Sequence, residues 1–280
     1  MNNPILYDSH MHTTLCKHAK GAPTEYAKQA EKIGLKGIIF TCHNPGPKGW
    51  DERVRMSMAQ FPTYLKMVEE VREEWNGRLD IRLGLECDYY PGFESFLEEL
   101  LTKAEFDYIL GSLHPGHPYY KDQFYKGSVL NFQKLYFKHL AMAAESGLFN
   151  TLSHPDLIKN LYPNEWHVDQ LMDDIRHNLD RIARTGVAME LNTSGLNKRV
   201  KEMNPGPEIL EEMADRQIPV VLGSDSHAPD RVGADFIQAM DLLEDAGYRT
   251  LTYFINRQPQ EISLKSAYDS LLIKTAVQAV

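Results

Sequence analysis

The segment YDSHMHTTLCKHAKGAPTEY, beginning at Tyr7, places His10, His12 and His18 within nine residues, beside Asp8 and Lys17. Neutral imidazole offers one lone pair to a metal and titrates near neutral pH. Three histidines so close therefore suit a metal site or an acid–base site, with surface histidines as the plain alternative. The remaining histidines bear on the choice. His43 ends the run GIIFTCH, His114 the run FDYILGSLH, and His154 lies in LFNTLSHPD. Asp225 and His227 close IPVVLGSDSH, and Glu86 sits in IRLGLECDYY. Any one of these alone reads as a structural or surface residue. Jointly, seven of the eleven histidines stand at or just past the end of a β-rich run. His139, His167 and His177 fall in helix-like or loop-like stretches and read as ordinary, and His117, three residues past His114, is intermediate.

The elements that must position these groups follow from periodicity. Short apolar runs start at Ile5, Gly37, Ile81, Phe106, Leu148, Gly186, Ile218 and Tyr248. Amphipathic stretches of helical length lie between them, such as APTEYAKQAEKIG, FPTYLKMVEEVREEWNG and PEILEEMADRQ, with stopping glycines or polar ends. Apolar strands alternating with helices indicate parallel βα units, and seven or eight of them in 280 residues predict a barrel rather than an open sheet. No glycine-rich phosphate loop of the GxGxxG or GxxxxGK[ST] type is present. In such barrels the chemistry gathers at the C-terminal ends of the strands. Six of the runs deliver a histidine or a carboxylate to that one rim.

Residues two apart in a strand face the same side, so His10 and His12 can share one metal, and Asp225 and His227 repeat the spacing. Nitrogen and carboxylate donors suit zinc, iron or manganese. Seven histidines and two carboxylates exceed the needs of one ion and fit two or three. Glu86, with two oxygens, is the natural bridge. None of Cys16, Cys42 and Cys87 is required as a ligand; alternation turns Cys42 and Cys87 away from His43 and Glu86, into packing.

Composition sets the frame. A formal net charge of −9 and a pI near 5.7 argue against a general nucleic-acid or acidic-membrane binder. No apolar stretch is long enough to span a bilayer, and the N-terminus lacks a signal-peptide pattern. Three cysteines indicate a reducing compartment, so a cytoplasmic location is expected.

The combination of HxH after the first run, His after the second, Glu in the third, then SLH, SHPD and GSDSH resembles the PHP (polymerase and histidinol phosphatase) family. LNTSGLNK, PEIL and GSDSHAPDRVG are similar to its histidinol-phosphatase branch, and the resemblance runs from about Ile5 to Leu243. It implies a distorted (β/α)7 barrel with a metal cluster at the strand ends, as a single domain over residues 1–280. The ligand sets it implies are His10, His12, Glu86 and Asp225 for one metal, Glu86, His114 and His154 for a second, and His18, His43 and His227 for a third. Glu86, Asp225 and His227 are the implied catalytic side chains. The implied reaction is hydrolysis of a small phosphomonoester by a hydroxide bridging two metals. L-Histidinol phosphate, and with it histidine biosynthesis, is the single best assignment. The alternative is another ester on the same barrel: a sugar phosphate, a nucleotide or a phosphodiester. A larger-partner proofreading module would show a basic track or a polymerase-like extension. An amidohydrolase would show a bridging lysine near the fourth strand, which YILGSLH lacks.

This sequence departs from the family where phosphate is gripped. NTSGLNK has Asn197 where relatives carry arginine, and Asn160 stands where many carry a second basic residue. Asparagine donates a hydrogen bond without charge or a bidentate fork. Lys17, Lys48, Lys159, Lys198 and Arg199, together with His117 and Asn197, are therefore the candidate substrate-binding residues.

Overall fold

The protein is described from a computed structural model, covering the backbone of residues 5–47 and 50–277. Seven strands form one parallel sheet in sequence order: β1 (Tyr7–Met11), β2 (Gly37–Phe40), β3 (Asp80–Asp88), β4 (Tyr108–Ser112), β5 (Thr151–Leu152), β6 (Ala188–Asn192) and β7 (Val220–Gly223). Helices follow six of them: α1 (Pro23–Ile33), α2 (Phe61–Glu74), α3 (Glu94–Leu101), α4 (Pro118–Phe124) with α5 (Val129–Glu145), α6 (Val168–Ala183) and α7 (Pro207–Asp215). α8 (Phe236–Asp245) follows β7. β1, β2, β4, β5, β6 and β7 are buried along their whole length, as strands covered by helices on one side and filling a barrel on the other must be. This is the α/β barrel of seven strands that the sequence predicts.

Between β1 and β7 the barrel closes without a regular ladder. The closure consists of the bridge Met11–Ser226, with His12 N–H on Ser226 O at 2.9 Å and Ser226 N–H on His10 O at 3.2 Å. Asp8, fully buried, reinforces it by accepting the backbone N–H groups of Ser224 at 3.0 Å and Gly233 at 2.9 Å. The irregularity has a local cause: β7 ends at Gly223, and Asp225 turns with φ of 51°.

The eighth apolar run differs from expectation. It forms β8 (Thr250–Ile255), which pairs antiparallel with β9 (Gln258–Ser263) in a separate two-stranded sheet. The turn between them, Asn256–Arg257 with both residues at positive φ, brings the chain straight back, as a two-residue hairpin turn does. α9 (Leu264–Val277) ends the described backbone.

Candidate metal centre

Each expected ligand except His18 occupies the C-terminal end of its strand or the first residues beyond. His10 lies in β1 and His12 just after it; both rings are fully buried. His43 pairs with Glu86 through an isolated parallel bridge, which carries β2's direction past its last regular residue. His154 and Asp225 both adopt positive φ, at 27° and 51°. Non-glycine residues held there are strained, and such positions concentrate where side chains must be aimed. His18 hangs from the turn after β1, where its Nδ1 donates to Cys16 O at 2.7 Å and leaves Nε2 free to face inward.

Glu86 is the centre of the cluster. Its Oε2 lies 2.7 Å from His43 Nδ1 and 3.5 Å from both His10 Nε2 and His12 Nε2. Its Oε1 lies 3.1 Å from His154 Nε2 and 3.6 Å from His114 Nε2. The two oxygens thus address two different sets of imidazoles. Asp225 Oδ1 stands 3.2 Å from His12 Nε2 and 3.6 Å from His10 Nε2. At the rim, His18 Nε2 and His227 Nε2 face each other at 2.9 Å. The geometry brings all nine expected residues into one cluster, but it leaves His43 closer to Glu86 than to the His18–His227 pair.

The donors fit divalent metal. Buried Glu86 Oε2 and His43 Nδ1 lie close together yet neither has a hydrogen-bond partner, although buried polar atoms nearly always have one. His10 Nε2 and His12 Nε2 are 3.2 Å apart. Two nitrogens on one tetrahedral zinc stand about 3.3 Å apart, given Zn–N bonds of about 2.05 Å. Burial alone would push Glu86 and Asp225 up. Instead His43 and His10 hold Glu86, and Lys198 and His10 hold Asp225, well below the usual carboxylate range. Burial opposes a charge on His10, yet Glu190, Asp225 and Glu86 together raise its pKa well above the ordinary value. Three carboxylates around one buried ring make a place that favours positive charge.

Several supporting residues escape the sequence reading. Glu190, fully buried in β6, accepts from His10 Nδ1 at 2.7 Å and from His154 N–H at 2.8 Å. Asp88 receives His114 Nδ1 at 2.6 Å and the guanidinium of Arg55 at 2.7 and 2.9 Å. A carboxylate behind a ligating imidazole fixes its tautomer and raises its basicity. Glu190 could have been found: it stands two residues before Asn192, on the one barrel strand to which no metal-type residue had been assigned. Cys42 is a correction as well. It does not point clear of the cluster; with Cys16 it lies beside a ring nitrogen of His12, and Cys16 also joins His18 and His227 in a group of possible metal donors. Cys87 joins no such group among the described residues.

A cavity of about 1000 Å³ opens above the cluster, lined by Glu86, His114, His154, Asp225 and His227 on its floor. Of the proposed substrate-binding residues, His117, Asn197, Lys198 and Arg199 line it. Lys198 Nζ donates to Asp225 Oδ2 at 3.2 Å. Asn160 lines it too, with Oδ1 taken by Val200 N–H and Nδ2 buried without a partner. Two candidates do not belong. Lys17 Nζ is exposed and bound to Gln60 at 2.6 Å. Lys159 is fully buried, with its ammonium on Asp156, Glu202 and Met203 O; it ties two loops together away from the cavity. Lys48 lies outside the described residues.

A parallel barrel that gathers imidazoles and carboxylates beneath an open cavity, with cations at its edge, defines a metal-dependent hydrolase. The PHP domain family matches residues 8–194. A protein of Deinococcus radiodurans named probable histidinol-phosphatase is 40% identical over 254 residues, covering 89% of this chain and 96% of its own. The histidinol-phosphatase of Bacillus subtilis is 26% identical over 81% of this chain and 95% of its own. This chain belongs to the PHP domain family. Among solved structures, the histidinol phosphate phosphatase of Lactococcus lactis, complexed with zinc, L-histidinol and phosphate, shares the fold with a TM-score of 0.76 at 20% identity, over 91% of this chain and 98% of that one.

Proposed function

We propose that the chain is a metal-dependent phosphatase that hydrolyses L-histidinol phosphate. The observation that carries this reading is Glu86, whose two oxygens address separate sets of imidazoles on the floor of a cavity edged by Lys198 and Arg199. The 40% identical relative supports the same ester. His10, His12, Glu86 and Asp225 would hold one ion, Glu86, His114 and His154 a second, and His18, His43 and His227 a third. Zinc, iron and manganese all suit these donors. Bound divalent ions supply Lewis acidity toward phosphoryl oxygens and lower the pKa of water toward ~7.

The chain's own residues do the rest. Glu86 and Asp225 stay deprotonated, which keeps their oxygens available as donors. Glu190 and Asp88 hold the His10 and His114 rings in place. Lys198 and Arg199 present positive charge to the phosphate, and Asn160 Nδ2 adds a neutral donor. Glu86, Asp225 and His227 border the space where phosphorus would lie and are the side chains most directly tied to turnover. We further take the chain to act as one barrel domain in the cytoplasm.

The test is direct. Protein purified without chelator is assayed for metal content and for phosphate release from L-histidinol phosphate and phenyl phosphate. More than one metal equivalent per chain, with L-histidinol phosphate the better substrate, is expected. Full activity in metal-free protein would overturn the metal centre; a stronger preference for a sugar phosphate or nucleotide would overturn the substrate.

A further inference from the structure

The cavity is far larger than a phosphate ion, and part of its wall is built differently. Asp51, His117, Pro115, Pro118, Leu157 and Leu161 line it. His117 is held on two sides. Its ring stacks face to face on Trp50, with centroids 4.4 Å apart and planes 9° from parallel, and its Nδ1 accepts from Tyr119 N–H at 3.2 Å. That hydrogen bond fixes the tautomer: the proton sits on Nε2. The side chain is only 7% exposed, and Nε2 is buried without a partner. A fixed N–H with no acceptor, on the wall of a cavity, marks where an acceptor on a ligand belongs.

Asp51 Oδ2 lies 3.9 Å from that nitrogen. Arg53 grips Asp51 from the solvent side, at 2.7 and 2.9 Å, with its own side chain 81% exposed against 13% for the carboxylate. The bond from Arg53 and its backbone N–H lower the Asp51 pKa, so the group is a carboxylate. Oδ2 takes one of the Arg53 bonds and retains capacity for another. The Tyr119 N–H on Nδ1 requires a neutral His117 ring. The wall therefore offers side by side a carboxylate oxygen with spare accepting capacity, its charge balanced by Arg53 from the solvent side, and one neutral donor.

We propose that Asp51 and His117 form the subsite for the leaving alcohol, selecting phosphomonoesters whose organic part carries an ammonium group and, next to it, a nitrogen or oxygen acceptor. This inference rests on the phosphatase reading and specifies its substrate class. An amino alcohol bearing an imidazole satisfies both groups at once, the ammonium on Asp51 and the ring nitrogen on His117. Sugar phosphates bring hydroxyls and no cation, and nucleotides or bisphosphates bring a second anion, which offers Asp51 Oδ2 no donor.

The experiment uses metal-loaded protein and the variants D51N, D51E and H117A. Three esters are compared: L-histidinol phosphate, O-phosphoethanolamine and phenyl phosphate. Inhibition of phenyl phosphate hydrolysis by L-histidinol alone is measured in parallel. D51N should lower the kcat/KM ratio of each cationic ester to phenyl phosphate by about 10-fold or more, chiefly through KM, since a charge-assisted bond is lost. The Ki of L-histidinol should rise by a similar factor. D51E should recover part of both, and H117A should weaken L-histidinol phosphate more than O-phosphoethanolamine, which has no ring. An unchanged ratio and Ki in D51N overturns the subsite. Failure of the substrate reading looks different: the wild type would ignore L-histidinol phosphate, while D51N would still shift the ratio of O-phosphoethanolamine to phenyl phosphate.

Discussion

Glu86 serves both halves of the cluster, so its replacement is the sharpest single-residue probe. Glu86→Gln keeps the shape but removes the charge and one donor oxygen. It should lower kcat by about 10³-fold or more, several kcal/mol of transition-state stabilisation, and reduce bound metal measured by elemental analysis. His177→Ala, on the exposed face of α6, is the control and should change neither. Equal losses would show the histidines to be wrongly sorted. The phosphate side gives a second prediction. Asn197 and Asn160 both line the cavity, beside Lys198 and Arg199. If charge is limiting there, Asn197→Arg should raise kcat/KM for L-histidinol phosphate, by up to about 10-fold. If Lys198 or Arg199 has taken over the role, Asn197→Arg should be neutral or harmful, and Lys198→Ala or Arg199→Ala should cost activity instead. No response in any of the three means that this loop does not touch phosphate. The nine clustered residues were legible because histidine is rare and its positions at strand ends repeat. Asp88 was not, because 39 acidic residues in the chain carry no comparable spacing; Glu190 was within reach only through the one barrel strand left without a metal-type residue. Arg55 was hidden for another reason: its partner Asp88 lies 33 residues away in sequence.

At the scale of elements, helix boundaries followed their sequence signals closely. The stretches starting at Ala22, Phe61 and Pro207 became α1, α2 and α7, each with proline in its first turn, where the missing N–H costs nothing. The segment after His114 shows no helical periodicity in the sequence, yet it holds α4. A seven-residue helix lacks the length for periodicity to show, and α4 is set by packing. The Tyr120 hydroxyl and His139 Nδ1 of α5 share a hydrogen bond of 2.9 Å, and Phe124 meets the same ring edge-on. Burial, helped by neighbouring Lys138, pushes the His139 pKa down from 6.5 to about 4. The neutral form is favoured in the folded protein, so this contribution is fully present above pH 6.5 and is lost as pH falls toward 4. The shift corresponds to about 3 kcal/mol. The stability of His139→Leu relative to the parent should therefore rise by a similar amount as pH falls from 7 to 4, as read from denaturant unfolding of both proteins. A stability difference that is flat with pH would show that His139 does not stay neutral in the fold.

For the whole molecule, the sequence pattern led to a barrel but not to its seam. Counting apolar runs cannot tell a strand that joins the barrel from one that turns back on itself. The eighth run did the latter, in β8 and β9, because two positive-φ residues follow it at once. The seam itself is made of side chains and bent backbone, with little regular ladder, and four of the clustered residues straddle it: His10 and His12 on one side, Asp225 and His227 on the other. Metal should therefore contribute to global stability as well as to turnover. Chelation should lower Tm by several degrees, at about 2–4 °C per kcal/mol for a chain of this size, and readdition should restore it. Far-ultraviolet dichroism should change little, because the ladders from β1 to β7 do not depend on the ions. A Tm unmoved by chelation would show that the seam holds without them.

The Asp8–Ser224 contact spans 216 positions of the chain. Closing so long a loop carries a large entropic cost before any contact compensates it, which places closure late in folding. During synthesis, His10 and His12 leave the ribosome early and must wait for Asp225 and His227. Until then the early histidines form an open, half-made chelate, exposed to whatever metal the surroundings offer. The order of emergence thus makes assembly of the full ligand set wait until the seventh barrel strand has arrived.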